Sequence, residues 1–172
     1  MQFDIDEAQC KKAKFPHEIF LINLVAIHIL WFVAALGIVK TLPYPLLATP
    51  LMSASILGYI LWRANKSKNE DDWFVQCHWQ IAAQRSKVFM GILALLITVS
   101  ALGWIGYTYL GMMKVAVLAF IGGVGMLPTM VSVLALIIME SDAMHQGAQG
   151  KLGKSILEKY PAPAHIKILD ED

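Results

Sequence analysis

Four apolar runs constrain what this chain can fold into: residues 20–39, 44–62, 88–110 and 115–139. Each is close to the ~20 residues that a helix needs to cross the hydrocarbon core of a bilayer. None of them contains Asp, Glu, Lys or Arg, and the one imidazole among them is His28. The chain is 57% hydrophobic, and a water-soluble domain would break that content into shorter stretches. The pattern predicts an all-α integral membrane protein with four transmembrane helices in two antiparallel hairpins. The outer connections are the short segments around Lys40–Pro43 and Gly111–Lys114. The first run is expected to be retained, because it is longer than a signal-peptide core and no small-x-small site follows it cleanly.

Basic residues set the expected orientation. Twelve of the fourteen Lys and Arg fall in residues 1–19, in the 63–87 connection and in the tail. Lys40 and Lys114 alone fall in the other two connections. By the positive-inside rule the first three regions are cytoplasmic, with both termini inside. The expected location is a bacterial inner membrane. The acidic residues share that side, and the formal net charge is +1. No dense basic stripe suits nucleic acid, so the lipid bilayer is the expected environment. Cys10 and Cys77 are then cytoplasmic and expected to stay reduced.

The domain reading is a transmembrane domain over residues 1–147 and a cytoplasmic tail over 148–172. Phe15-Pro16 marks the expected start of the first span, since proline suits a first helical turn. Residues 63–72 read as a polar loop. Residues 72–87 read as a cytoplasmic helix, N-capped by Asp71 or Asp72. With no Gly or Pro before the third span, that helix is expected to extend it. Trp73, Phe74, Cys77 and Ile81 share one face, and together with Trp79 they are the candidate contact surface for a protein partner. The tail is too short to bury a core of its own, so it must dock or stay mobile.

Aromatic residues near the span ends (Tyr44, Trp62, Trp104, Tyr107, Tyr109) suit interfacial belts. Ala54 and Gly58, four apart, suit close helix packing. Gly122, Gly123 and Gly125, shortly before Pro128, suit either packing or a hinge in the fourth span.

Two constellations bear on chemistry. His28, mid-span, is a candidate haem ligand, but a bis-His site needs a second histidine at similar depth. Spans two to four contain none, so such a site would need another subunit. The second is a set of residues that topology brings to the cytoplasmic boundary: His17, His78, His145, Glu140 and Asp142. Imidazole and carboxylate suit Zn or Fe, so these five are candidate metal ligands, although no HExxH or ExxH pattern supports them. No Walker A, GxSxG or dinucleotide fingerprint is present. The favoured function is a non-enzymatic accessory, assembly or sensor subunit without a cofactor. It acts as a homo-oligomer or membrane-complex subunit, with a membrane or cytoplasmic partner on its cytoplasmic face. The alternatives are an oligomeric channel and a metal- or haem-dependent redox subunit.

Overall fold

The computed structural model describes residues 1–42 and 44–170. Pro43, part of the predicted first connection, lies outside the described residues, as do positions 171 and 172. About 80% of the chain is helical. Four helices are long and apolar enough to cross a membrane: Glu7–Ile38, Tyr44–Glu70, Trp73–Tyr109 and Lys114–Ala148. A short helix, Lys154–Leu157, and two strands, β1 (Gln2–Phe3) and β2 (Ile168–Asp170), complete the described elements.

The third helix is continuous from Trp73, as the absence of Gly and Pro implies, and its 37 residues span about 55 Å at 1.5 Å per residue. Other boundaries differ from expectation. The first helix begins at Glu7, so Pro16 lies inside it and not in its first turn. An internal proline costs about 3 kcal/mol; burial of Ala13, Pro16, His17 and Phe20 along this segment offsets that cost. The second helix runs through the expected 63–72 loop to Glu70. Local pairs hold it: Ser67 Oγ donates to the Ala64 carbonyl at 2.8 Å, and Lys66 faces Glu70 at 3.4 Å. Arg63 Nη2 donates to Asp71 Oδ1 at 2.8 Å, closing the two-residue break at Asp71-Asp72 before the third helix.

Two helices contain π-helical stretches, Asn23–Trp31 and Ile121–Met126. The second directly precedes Pro128. A proline ring clashes with the carbonyl four residues back and leaves it without an N–H, and the wider π register accommodates that disruption. Thr129 Oγ donates to the Gly125 carbonyl at 2.8 Å there.

The chain divides into two compact units, residues Met1–Ser86 with Ile137–Asp172, and Lys87–Leu136. In the first, the Glu7–Ile38 helix packs against the Tyr44–Glu70 helix in each of its α and π parts. Phe20, Leu24, Ile27, Leu57, Ile60 and Ala64 are buried there. The chain ends build a second core in this unit, with Phe3, Ala13, Phe74, Cys77, Leu152 and Ile156 buried together. Strand β1 lies antiparallel to β2, with Gln2 opposite Asp170 and Phe3 opposite Ile168. On its other side Gln2 bridges to Lys151. Gly150 makes that second pairing possible: its φ is +69° and a Cβ would stand 2.9 Å from the Phe3 carbonyl oxygen, so only glycine fits. The tail therefore docks, and it does so by enclosing the N-terminus.

In the second unit, glycines mediate close approach between the third and fourth helices. A Cβ on Gly103 would meet Ile121 and Val117, and one on Gly125 would meet Leu96 and Val99. The connection turns at Gly111, whose φ is +67°.

Candidate functional site

The terminal layer of the first unit — residues 1–19, 63–86 and 137–170 — contains a buried chain of ionisable groups. His17, His78 and Glu140 are each 0% exposed. Glu140 sits just past the apolar run of the fourth helix, and Arg85 and His78 lie ahead of the run that begins at 88. Glu140 Oε1 accepts from Arg85 Nη1 at 3.0 Å. The same Nη1 donates to the Met139 carbonyl at 2.8 Å. Glu140 Oε2 accepts from His17 Nδ1 at 2.5 Å. His17 Nε2 lies 2.9 Å from His78 Nδ1. Three helices are thereby tied through one carboxylate and two rings.

The chain ends at His78 Nε2, which is buried without a hydrogen-bond partner. His78 is packed edge-on against Phe74, 4.8 Å between centroids, and against His17 at 5.2 Å. A Cβ on Gly147 would come within 3.2 Å of its Cε1 and 3.5 Å of the Ala13 backbone. Burial, the adjacent His17 and Arg85 hold the His78 imidazole well below its ordinary value, against a smaller opposing effect of the Lys151 carbonyl. His78 is therefore neutral at pH 7, with one N–H and one lone pair. One of the two faces His17, and the other has the Lys151 carbonyl as a neighbour without a hydrogen bond of good geometry to it.

Of the five candidate metal ligands, the structure brings His17, His78 and Glu140 together. Asp142 and His145 are exposed on the fourth helix and engage their own helix, Asp142 accepting from Gln146 at 2.6 Å and His145 pairing with Gln149 at 2.8 Å. The three assembled residues direct their ring nitrogens and carboxylate oxygens mainly at one another and at Arg85. Among the described residues no group of three or more His, Cys, Asp and Glu is disposed to hold a metal ion.

His28 lies in the π-helical stretch, half-buried, with Nδ1 donating to the Asn23 carbonyl at 3.0 Å. The other histidines belong to the terminal layer. Of the candidate partner residues, Phe74, Cys77 and Trp79 are buried in the protein's own fold, and Trp73 and Ile81 are half-buried. Trp73 Nε1 donates to the Tyr160 carbonyl at 3.1 Å. Trp79 is flanked by Phe15 and Tyr59, with the Arg63 guanidinium 5.2 Å from its ring. Burial raises the Cys77 thiol to about 12. Gly122 and Gly123 face open space, whereas Gly125 packs against the third helix.

Sequence reasoning passed over two residues. Arg85 completes the Glu140 site, and the signal for it was an arginine and a glutamate each flanking an apolar run. Asn23 is 0% exposed, with neither side-chain polar atom hydrogen-bonded; a lone amide within an apolar run marked it. Compared with protein-family models, with curated proteins and with solved structures, the chain matches none.

Proposed function

We propose that this protein is a non-enzymatic subunit of a bacterial inner-membrane assembly, an accessory, assembly or sensor component. In this reading its four spans form two antiparallel hairpins, both termini are cytoplasmic, and the terminal layer binds a membrane or cytoplasmic partner. One observation carries the reading. Residues near both chain ends and the start of the third helix, Trp73 to Ile81, fold into a single core, whereas the connection at Gly111 is a tight turn. The folded polar surface is thus concentrated in one layer. The Arg85–Glu140–His17–His78 chain supports a structural role for that layer, since its polar groups engage one another and leave one nitrogen unpaired.

The test is extraction of the full-length protein from its native membrane into lipid nanodiscs without detergent. The expected result is recovery with a second protein in fixed stoichiometry. Recovery of this 19.1 kDa chain with lipid alone would overturn the reading. The π-helical stretch before Pro128 favours a second reading, an oligomeric channel hinged at Gly122, Gly123, Gly125 and Pro128. Planar-bilayer recordings test it: conductance is expected if the reading holds, and silent bilayers across voltages and osmotic gradients argue against it.

A further inference from the structure

We propose that the His17–His78 pair is a binding site for one shared proton, and that filling it latches the C-terminal tail onto the terminal layer through the Lys151 carbonyl. Partner recovery on extraction tests the subunit reading separately, and neither result decides the other.

The hydrogens of the pair can be counted. Glu140 accepts from Arg85 and from His17 Nδ1, so His17 Nδ1 carries a hydrogen in every state of the pair. His17 Nε2 and His78 Nδ1 stand 2.9 Å apart, and a bond between two ring nitrogens holds one hydrogen, on either side. Two neutral rings have one N–H each, and both hydrogens are then placed. His78 Nε2 is left as a lone pair beside the Lys151 carbonyl, acceptor against acceptor. One more proton reverses this. Added at His78 Nε2, it turns that nitrogen into a donor to the Lys151 carbonyl. The bridging hydrogen passes from His78 Nδ1 to His17 Nε2, and the positive charge arrives on His17 against Glu140. The proton comes from water, the pair gains one charge, and His78 stays neutral with its tautomer inverted. Hydrogen bonds then run unbroken from Arg85 to the tail.

The surroundings favour the charge on His17 over His78. Burial, with His17 and Arg85 next, disfavours a charged His78, whereas His17 is hydrogen-bonded to the Glu140 carboxylate. Ionisable groups on the other elements are committed elsewhere. Arg63 of the second helix pairs with Asp71 at 2.7 Å, and Asp142 and His145 bond within the fourth helix. Cys77, raised to about 12, stays a neutral thiol.

Lys151 is placed to read the change. It bridges to Gln2 through Phe3 N donating to the Gly150 carbonyl at 2.9 Å and Leu152 N donating to the Met1 carbonyl at 3.1 Å. In such an antiparallel pair the central residue's own N–H and C=O turn away from the partner strand. The Lys151 N–H donates to the Gln146 carbonyl at 2.9 Å, and its carbonyl neighbours His78. Leu152, the next residue, is buried in one core with Phe3 and Phe74. A hydrogen bond at Lys151 therefore bears on the clasp around β1.

The test is NMR of full-length protein, labelled with nitrogen-15 histidine, in phosphatidylcholine nanodiscs from about pH 9 down to about pH 5, the range in which imidazole titrates. One coupled step is expected. In it His17 becomes imidazolium, and His78 Nε2 changes from a lone-pair nitrogen to an N–H nitrogen at the same midpoint. Amide exchange at Leu152, corrected for its intrinsic rate, is expected to slow about tenfold across that step. Further acid, which would charge His78 as well, opposes the latch. His17→Gln cannot take the proton and is expected to abolish the step in Leu152 exchange. Four results would overturn the proposal: His78 Nε2 unchanged over the range, the two rings titrating at separate midpoints, Leu152 exchange that follows the intrinsic rate alone, or a step retained in His17→Gln. The first three use the unaltered chain, so they decide the matter whether or not the variant folds.

Discussion

The terminal layer of the first unit and the helix pair of the second are held by opposite means. In the layer, buried polar groups specify geometry: Glu140 fixes Arg85 and His17 at hydrogen-bond distance, and His17 fixes His78. In the second unit, shape does so: Gly103 and Gly125 let aliphatic side chains of the facing helix approach their backbones. Buried charges are unforgiving when one partner is removed. Packing between apolar helices in lipid has no comparable single point of failure, because lipid tails are as apolar as the side chains they replace. The layer should therefore be brittle, and the helix pair tolerant.

The largest expected break in this contrast is Glu140→Ala. It strips the acceptor from Arg85 and from the fully buried His17, and removing one member of a buried charged pair costs about 3–5 kcal/mol. Thermal unfolding in nanodiscs should show a large drop. Thr129→Val in the second unit, which loses one Oγ bond to the Gly125 carbonyl, should cost about 1 kcal/mol. Equal losses would erase the contrast.

A pH series comes next. The folded-state pKa of His78 is held below its ordinary 6.5, so in acid the unfolded chain takes up a proton that the folded chain refuses. The stability contributed by neutral His78 is complete above about pH 6.5 and declines as pH falls below it. The unfolding temperature should drop on acidification in the native protein. It should drop less in a His78→Gln variant that folds. An identical acid response in both would remove His78 from the account.

A smaller effect separates glycines by region. Gly147→Val presses on His78 and on the Ala13 backbone, which cannot yield as a side chain tip does, and overpacking of this kind costs about 1–3 kcal/mol. Gly123→Ala meets nothing within 4 Å, and should be neutral or slightly stabilising because alanine is the better helix former. Circular dichroism melts of the two variants compare them directly. The smallest effect is chemical. Cys77 is 0% exposed with its thiol raised to about 12, so N-ethylmaleimide at pH 7 should leave it unmodified until the layer unfolds. Cys10 is half-buried and should react first, although slowly.

The four apolar helices were legible because twenty-odd uncharged residues in a row have few other folds open to them in lipid. The uninterrupted entry into the third helix followed from the lack of Gly and Pro before residue 88. The 63–72 segment was less legible, since a run of Asn, Lys, Ser and Glu reads as loop by composition. Of the contacts that keep it helical, Arg63 with Asp71 joins the two ends of the segment, and Gln80 reaches the Ala64 carbonyl from the third helix. At the candidate site, topology alone placed His17, His78 and Glu140 at one boundary. It placed Asp142 and His145 there equally well. Which of the five face inward depends on helix rotation, and rotation is set by packing against Ala13, Gly147 and the tail.

By itself, then, the sequence determined the number of long helices, their apolar lengths and the level at which polar groups gather. Each of these follows from local composition and the cost of placing charge in hydrocarbon. Only the tertiary structure decided that β1 is clasped between Gly150–Leu152 and β2, that Arg85 completes the Glu140 site, and that His78 ends the chain with an unpaired nitrogen. Those features depend on contacts between residues more than fifty positions apart, and no local pattern encodes which of many compatible partners a side chain will meet.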